Sequence, residues 1–93
     1  MVNNDLAEEW NMKRIKQMHK LKILPQYYDA IISNIKHFEL RKDDRDYQVG
    51  DFIILQEWEN GEYTGRETGF QIEYILRDCT EYGLMEGYCI LGW

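Results

Sequence analysis

Ninety-three residues suffice for one domain with a single core, small enough to be only marginally stable. A hydrophobic fraction of 44% with 14% aromatics excludes a disordered chain, and no apolar run approaches the roughly 20 residues of a membrane span. The net charge of −6 argues against bulk electrostatic attraction to nucleic acid.

The charge is unevenly distributed. Through Arg45, nine basic residues face seven acidic ones, whereas from Asp46 onward only Arg66 and Arg77 oppose ten carboxylates. An anionic ligand is therefore expected to meet the first half of the chain. The opening Met1-Val2-Asn3-Asn4-Asp5 lacks the basic-then-apolar order of a signal peptide. Cys79 and Cys89 are too few for a disulfide scaffold, and no second pair completes a zinc site. Reduced thiols and a cytoplasmic location are expected.

In chain order, Asp5 followed by Glu8 reads as a helix start. Leu6 and Trp10 form a loose apolar face, and Lys13, Arg14 and Lys16 suit the helix C-terminus. Residues 1–16 are thus expected as an appended helix, and residues 17–93 as the domain proper. Gln17 to Leu24 alternates, with His19, Leu21 and Ile23 on one face and Lys20, Lys22 and Leu24 on the other, which predicts a half-buried strand. Pro25 suits the first turn of a helix whose face carries Tyr27, Tyr28, Ile31 and Ile32 through to Asn34. From Lys36 to Arg41 a second strand is expected, with Phe38 and Leu40 opposite His37, Glu39 and Arg41.

Lys42 to Gln48 reads as a polar connection, and Val49-Gly50-Asp51 as a tight turn. Asp51 to Glu59 gives the strongest strand signal. Asn60-Gly61 and Thr64-Gly65 mark a hairpin tip, and Phe70, Ile72, Tyr74 and Leu76 form the returning strand. Thr80 to Gly87 reads as a loop with a brief helical piece, and Tyr88 to Trp93 as the closing strand. The expected class is α+β: a small mixed barrel of about five strands with a helix between the first two.

The segment Ser33-Asn34-Ile35-Lys36-His37-Phe38-Glu39-Leu40-Arg41 resembles the G-x-K-x-x-E-x-R signature of ASCH domains, small β-barrels of the PUA-like superfamily. Asp44-Arg45-Asp46-Tyr47, Val49-Gly50-Asp51, the opening His19 to Pro25 and the ending Tyr88 to Gly92 are similar to a narrower ASCH-related family of unknown function from bacteria and phages. The likeness runs from about Met18 to the C-terminus. Asn34 stands where that family has glycine, and asparagine is the next most tolerant residue for a left-handed helix end. The resemblance implies a PUA-like barrel.

Glu39 and Arg41, two apart on one strand face, can orient a polar ligand. The guanidinium offers a rigid fork of donors, and the carboxylate accepts from an amine edge. Lys36 at the strand entrance can hold a phosphate or act as a base or nucleophile. A concave, solvent-reachable surface is expected to carry all three. Lys20 and Lys22 share a strand face, and Tyr63 and Tyr82, both in expected turns, are candidates for stacking on a base. His19 and His37 are far apart and lack a third ligand at metal spacing, so neither metal nor cofactor is expected. Ser33, Thr64, Thr68 and Thr80 carry no nucleophile motif.

PUA-like relatives imply RNA, so the expected function is an RNA- or nucleotide-binding module using the cleft beside Lys36, Glu39 and Arg41, without a membrane role and with the protein partner left open. The resemblance also implies an alternative, a small amidohydrolase acting on acylated cytidine. Lys36 would match its catalytic lysine, but Glu39 occupies the position of its threonine. A third reading is a regulatory protein-interaction module, for which the appended N-terminal segment is the only feature.

Overall fold

A computed structural model describes residues 17–93, so the helix expected over residues 1–16 lies outside the described residues. Strand β1 (Met18–Ile23) leads into helix α1 (Pro25–Ile32), then β2 (Phe38–Lys42), β3 (Phe52–Glu59), β4 (Glu62–Gln71), β5 (Tyr74–Leu76), a 3-10 turn at Thr80–Tyr82 and β6 (Tyr88–Gly92). The strands form two three-stranded sheets, ordered β1-β3-β4 and β2-β6-β5. β1 runs parallel to β3, and the other pairs are antiparallel. Among the described residues that is an α+β fold of six strands, where about five were expected, and no closed barrel is formed.

The extra strand arises at Ile72-Glu73. Ile72 is buried, and its backbone leaves the β4 ladder to accept from Gly50 and donate to Asp51. The chain then enters the second sheet with Tyr74 exposed and Ile75 turned to the core. The single alternation read through Phe70, Ile72, Tyr74 and Leu76 is therefore two strands in different sheets. Because β4 flows directly into β5, one seam remains open, between β1 and β2. Two guanidiniums span it: Arg41 Nη2 donates to Lys22 O at 2.6 Å, and Arg45 Nη1 donates to Lys20 O at 3.1 Å.

The core lies between the sheets. Leu21 and Ile23 of β1, Ile53 and Leu55 of β3, Leu91 and Cys89 of β6, and Tyr28 and Ile31 of α1 are buried together with Tyr47 and Ile72. Each large apolar side chain so buried contributes about 1.5–3 kcal/mol. The alternation in β1 holds, with His19, Leu21 and Ile23 inward.

Two turn signals resolve differently. Asn60-Gly61 alone makes the hairpin turn, with φ of 52° and 80°, the double positive φ of a type I′ turn. Thr64-Gly65 lies inside β4, not at the tip. Pairing jumps from Gln56↔Glu67 to Trp58↔Tyr63, so three residues of β4 face one of β3, and Gly65 at φ 95° absorbs the excess. The turn before β3 is as expected: Asp51 N donates to Gln48 O at 3.0 Å, and Gly50 supplies φ 98°. No helix among the described residues is long and apolar enough to cross a membrane.

Candidate functional site

The end of α1 aims Lys36. Ser33 ends the helix, and Asn34 takes the left-handed conformation at φ 61°. Asn34 N donates to Ile31 O and Ile35 N to Ala30 O, both at 3.0 Å, the paired bonds of a Schellman cap. The Lys36 N–H also reaches Ala30 O at 3.0 Å. With its backbone pinned there, Lys36 turns its ammonium onto the Phe38 carbonyl at 2.6 Å and onto Glu39 Oε1. The Tyr27 and Phe38 rings lie 5.5 and 4.8 Å from the same nitrogen, within cation–π reach.

The strand expected from Lys36 starts at Phe38, and the period read from sequence holds within it. Its orientation is the less obvious one. Glu39 faces the core and is 4% exposed, while Phe38 and Leu40 are 46% and 56% exposed on the outer face. The expectation of a solvent-reachable Glu39 is thus corrected: it stands opposite Leu91 of β6, inside the fold. The energetic reason is the pair of cations that meets it. A buried carboxylate is tolerable only when paired and hydrogen-bonded. Here Lys36 takes one oxygen, and Arg41 donates to the other through Nε at 3.0 Å, with Nη2 in ion-pair contact at 2.8 Å. Lys36, Glu39 and Arg41 therefore do come together, as one chain of charges.

That chain borders a cleft of about 320 Å³ lined by Tyr27, Lys36, Phe38, Glu39 and Leu40. Arg41 is not among the lining residues; its donors serve Glu39 and the β1 edge. The lining combines aromatic and aliphatic walls with one ammonium and one carboxylate, a composition suited to a flat ligand with polar edges. Among the described residues it includes no serine or threonine hydroxyl.

The remaining predicted residues fall into two other places. Lys22 is exposed, its ammonium 3.8 Å from the Trp58 ring centre and 5.8 Å from that of Tyr63, and the two rings meet edge-on at 4.8 Å. Lys20 is exposed on the same face of β1. Tyr82 is 89% exposed on the 3-10 turn, away from the lining of the cleft beside Lys36. Of the basic side chains among the described residues, Lys36, Arg41, Arg66 and Arg77 are each bonded to a carboxylate. Lys20, Lys22, Lys42 and Arg45 are not, and they belong to the two segments that flank the β1–β2 seam.

Three polar clusters escaped the sequence reading. Glu57, 4% exposed, accepts Thr64 Oγ1 at 2.6 Å and Arg66 Nε and Nη2 at 3.0 and 2.7 Å. Arg66 goes on to Asp29 of α1 at 2.9 Å. These bonds hold the Glu57 carboxyl below its usual range and raise Arg66. Arg77 forks onto Asp43 at 2.7 and 3.0 Å. Beside them the Cys89 thiol is pushed up to about 11, by burial first and by the Asp43 charge second. Asp51, fully buried, accepts His19 Nε2 at 2.9 Å and the Gln48 N–H at 3.0 Å, and the His19 ring meets Tyr47 edge-on. His19 is thus a packed core residue. The available signal for Glu57 was the Thr64-Gly65 pair: read as a bulge, it places Thr64 and Arg66 opposite Glu57.

A protein of Escherichia phage P2, titled "Uncharacterized 12.9 kDa protein in GpA 3'region", is 36% identical to this chain over 76 residues. The aligned segment is 81% of this chain and 66% of the phage protein, just under two thirds of the latter's length. Residues 18–93 match the family described as "Domain of unknown function (DUF3850)". The match begins with β1 and runs through β6, taking in every residue of the Lys36–Glu39–Arg41 chain and of its cleft, and on that extent the protein belongs to this family.

Proposed function

We propose that the protein is a binding module for single-stranded RNA or its nucleotides, taking one base in the cleft beside Lys36 and Glu39 and the adjoining phosphates along the β1–β2 seam. The observation that carries this reading is a juxtaposition. A cleft with two aromatic walls, one donor and one acceptor adjoins the seam flanked by the four cations that have no carboxylate partner among the described residues. Tyr27 and Phe38 offer stacking surface for a base. The Lys36 ammonium has one proton beyond those given to Phe38 O and Glu39 with which to donate to a ring carbonyl, and the edge of Glu39 that lines the cleft has a remaining lone pair to accept from an exocyclic amine. Arg41 acts as a positioning residue that holds Glu39 and ties β2 to β1.

The likeness of residues 33–41 to the ASCH signature, within a superfamily that implies RNA, supports the same reading. The acidic second half of the chain limits the footprint to one or two nucleotides. Salt dependence puts this in numbers. Each phosphate neutralised on a single strand contributes about −0.7 to the slope of log K against log salt, so four cations set a ceiling near −3.

Fluorescence anisotropy with short labelled RNAs tests the proposal. The expected result is binding with a slope shallower than that ceiling, lost in Phe38→Ala and Lys36→Ala, and with a slope reduced by about 0.7 in Lys20→Ala or Lys22→Ala. Absence of binding at low salt, or binding indifferent to Phe38→Ala, contradicts it.

A further inference from the structure

The central strand of the first sheet, β3, is apolar on both of its faces. Ile53 and Leu55 point into the core, while Phe52, Ile54 and Trp58 alternate onto the outer face and are only half-buried. A continuous apolar run of this kind is the pattern of a strand covered on both sides. Among the described residues the cover is one-sided. Tyr28 and Ile31 of α1, and Cys89 and Leu91 of the second sheet, all meet Ile53 and Leu55 from within the core.

The outer side carries an apolar floor. Cross-strand register sets Met18, Phe52 and Gln71 in one row and Lys20, Ile54 and Gly69 in the next. A Cβ at Gly69 would stand 2.5 Å from Phe52 Cε1, so the Phe52 ring rests against the bare backbone of β4. Met18 is 59% exposed beside it. The floor thus runs along the middle of the sheet, from Met18 and Phe52 through Ile54 to Trp58.

We infer that residues 1–16 of the same chain, which lie outside the described residues, cover this floor, with Leu6 and Trp10 laid on Phe52 and Ile54. The inference does not depend on the nucleotide reading. The tether selects this occupant before any other. Phe52 N donates to Gln17 O at 2.8 Å and the Gln17 amide reaches Asp51 at 3.3 Å, so the chain joins the described fold at the Met18–Phe52 end of the floor. The outer face of the second sheet lies on the far side of the core from that point. Length agrees with the tether. Phe52 to Trp58 spans about 20 Å at ~3.3 Å per residue. Residues 5–16, expected from sequence as a helix, would supply about 18 Å at ~1.5 Å per residue.

Charge agrees as well. A segment folded back from Met18 along β1 brings its early residues, Asp5, Glu8 and Glu9, towards the Lys22 end of the floor. Lys20 and Lys22 border the floor there, exposed and without a carboxylate partner among the described residues. Under the nucleotide reading the same two ammoniums meet phosphate, so the segment and RNA would compete for them. The apolar contact stands without that competition.

Side-chain NOEs in the full chain test the placement. Trp10 indole protons should show cross-peaks to the Ile54 methyls and the Phe52 ring. Cross-peaks to none of residues 17–93, or to Leu40, Ile90 and Leu76 on the other sheet, overturn the inference. Urea unfolding gives a second readout. Trp10→Ala should lower the midpoint of the full chain, and should lower it by clearly less in an Ile54→Thr background, because the two changes remove one shared contact. An unchanged midpoint in Trp10→Ala, or an equal drop in both backgrounds, contradicts the inference. Should Ile54→Thr fail to melt cooperatively, Phe52→Thr serves as the background, and the cross-peaks, which need no variant, decide alone.

Discussion

Glu57 and Glu39 are both buried strand carboxylates, each met by two basic or hydroxyl donors, yet they serve different ends. Around Glu57 the arrangement is closed. The β4 bulge brings Thr64 and Arg66 onto both its oxygens, Arg66 reaches across to Asp29 of α1, and its guanidinium lies 4.5 Å from the Tyr28 ring centre. Around Glu39 the arrangement is open. Lys36 comes from the end of α1 and Arg41 from β2 itself, and the exposed Phe38 and Leu40 leave a cleft with Glu39 and Lys36 in its wall. The first cluster pins helix to hairpin. The second stands at the wall of an open cleft. The outward-facing apolar residues beside Glu39, absent beside Glu57, are what the proposed ligand site rests on.

The largest effect should come from breaking the open cluster. Glu39→Ala leaves Lys36 and Arg41 facing each other without their carboxylate. Both retain some access to water, so the cost should fall at about 1–3 kcal/mol in urea unfolding, below the 3–5 of a fully buried broken pair. Glu39→Gln should cost less and shift base preference more than affinity, since it adds a donor where there was only an acceptor.

Next comes the element that aims the open cluster. Asn34 holds φ 61°, so Asn34→Val should cost about 1 kcal/mol or more and Asn34→Gly close to nothing. Equal stabilities in denaturant would show that the left-handed cap does not matter.

The closed cluster predicts a pH signature. Hydrogen bonds from Arg66 and Thr64 depress the Glu57 pKa below its ordinary 4.5. Its stabilising contribution is therefore complete above that ordinary value and is lost as the pH falls through the lower folded one. Urea midpoints collected down that acid window should fall less steeply in Glu57→Gln than in the wild type. Parallel acid limbs would contradict the assignment.

The smallest expected effect is chemical. With its thiol pushed up to about 11 from 9.0, Cys89 stabilises the fold below the ordinary value, and that contribution fades as the pH rises through the folded one. At pH 9 it should react with iodoacetamide far more slowly than the half-buried Cys79. Comparable alkylation rates for the two would contradict this.

Much of this was readable from residue order because it depends on local periodicity. The His19-Leu21-Ile23 alternation, Pro25 at the head of α1, the left-handed Asn34 and the Asn60-Gly61 turn are each set by interactions within a few residues. What escaped depends on partners far along the chain. Nothing local turns Phe38 outward and Glu39 inward; that follows from Arg41 and from Lys36 arriving off the helix cap. Nothing in the run from Phe70 to Leu76 shows that Ile72 leaves one sheet for another, because its partners, Gly50 and Asp51, belong to the turn before β3. The charge chain Lys36–Glu39–Arg41 was legible as a set of residues. The aromatic and aliphatic walls of its cleft were not, since Tyr27, Phe38 and Leu40 read as ordinary apolar periodicity.

The central claim is that the Glu39 cluster is a site and the Glu57 cluster is a lock. Amide resonances in a ¹H–¹⁵N spectrum, followed while cytidine and adenosine monophosphates are added, test it most directly. The account predicts the largest shifts at Tyr27, Lys36, Phe38, Glu39 and Leu40, with Glu57, Thr64 and Arg66 unmoved. Shifts centred on Glu57, or none at either cluster, would contradict it.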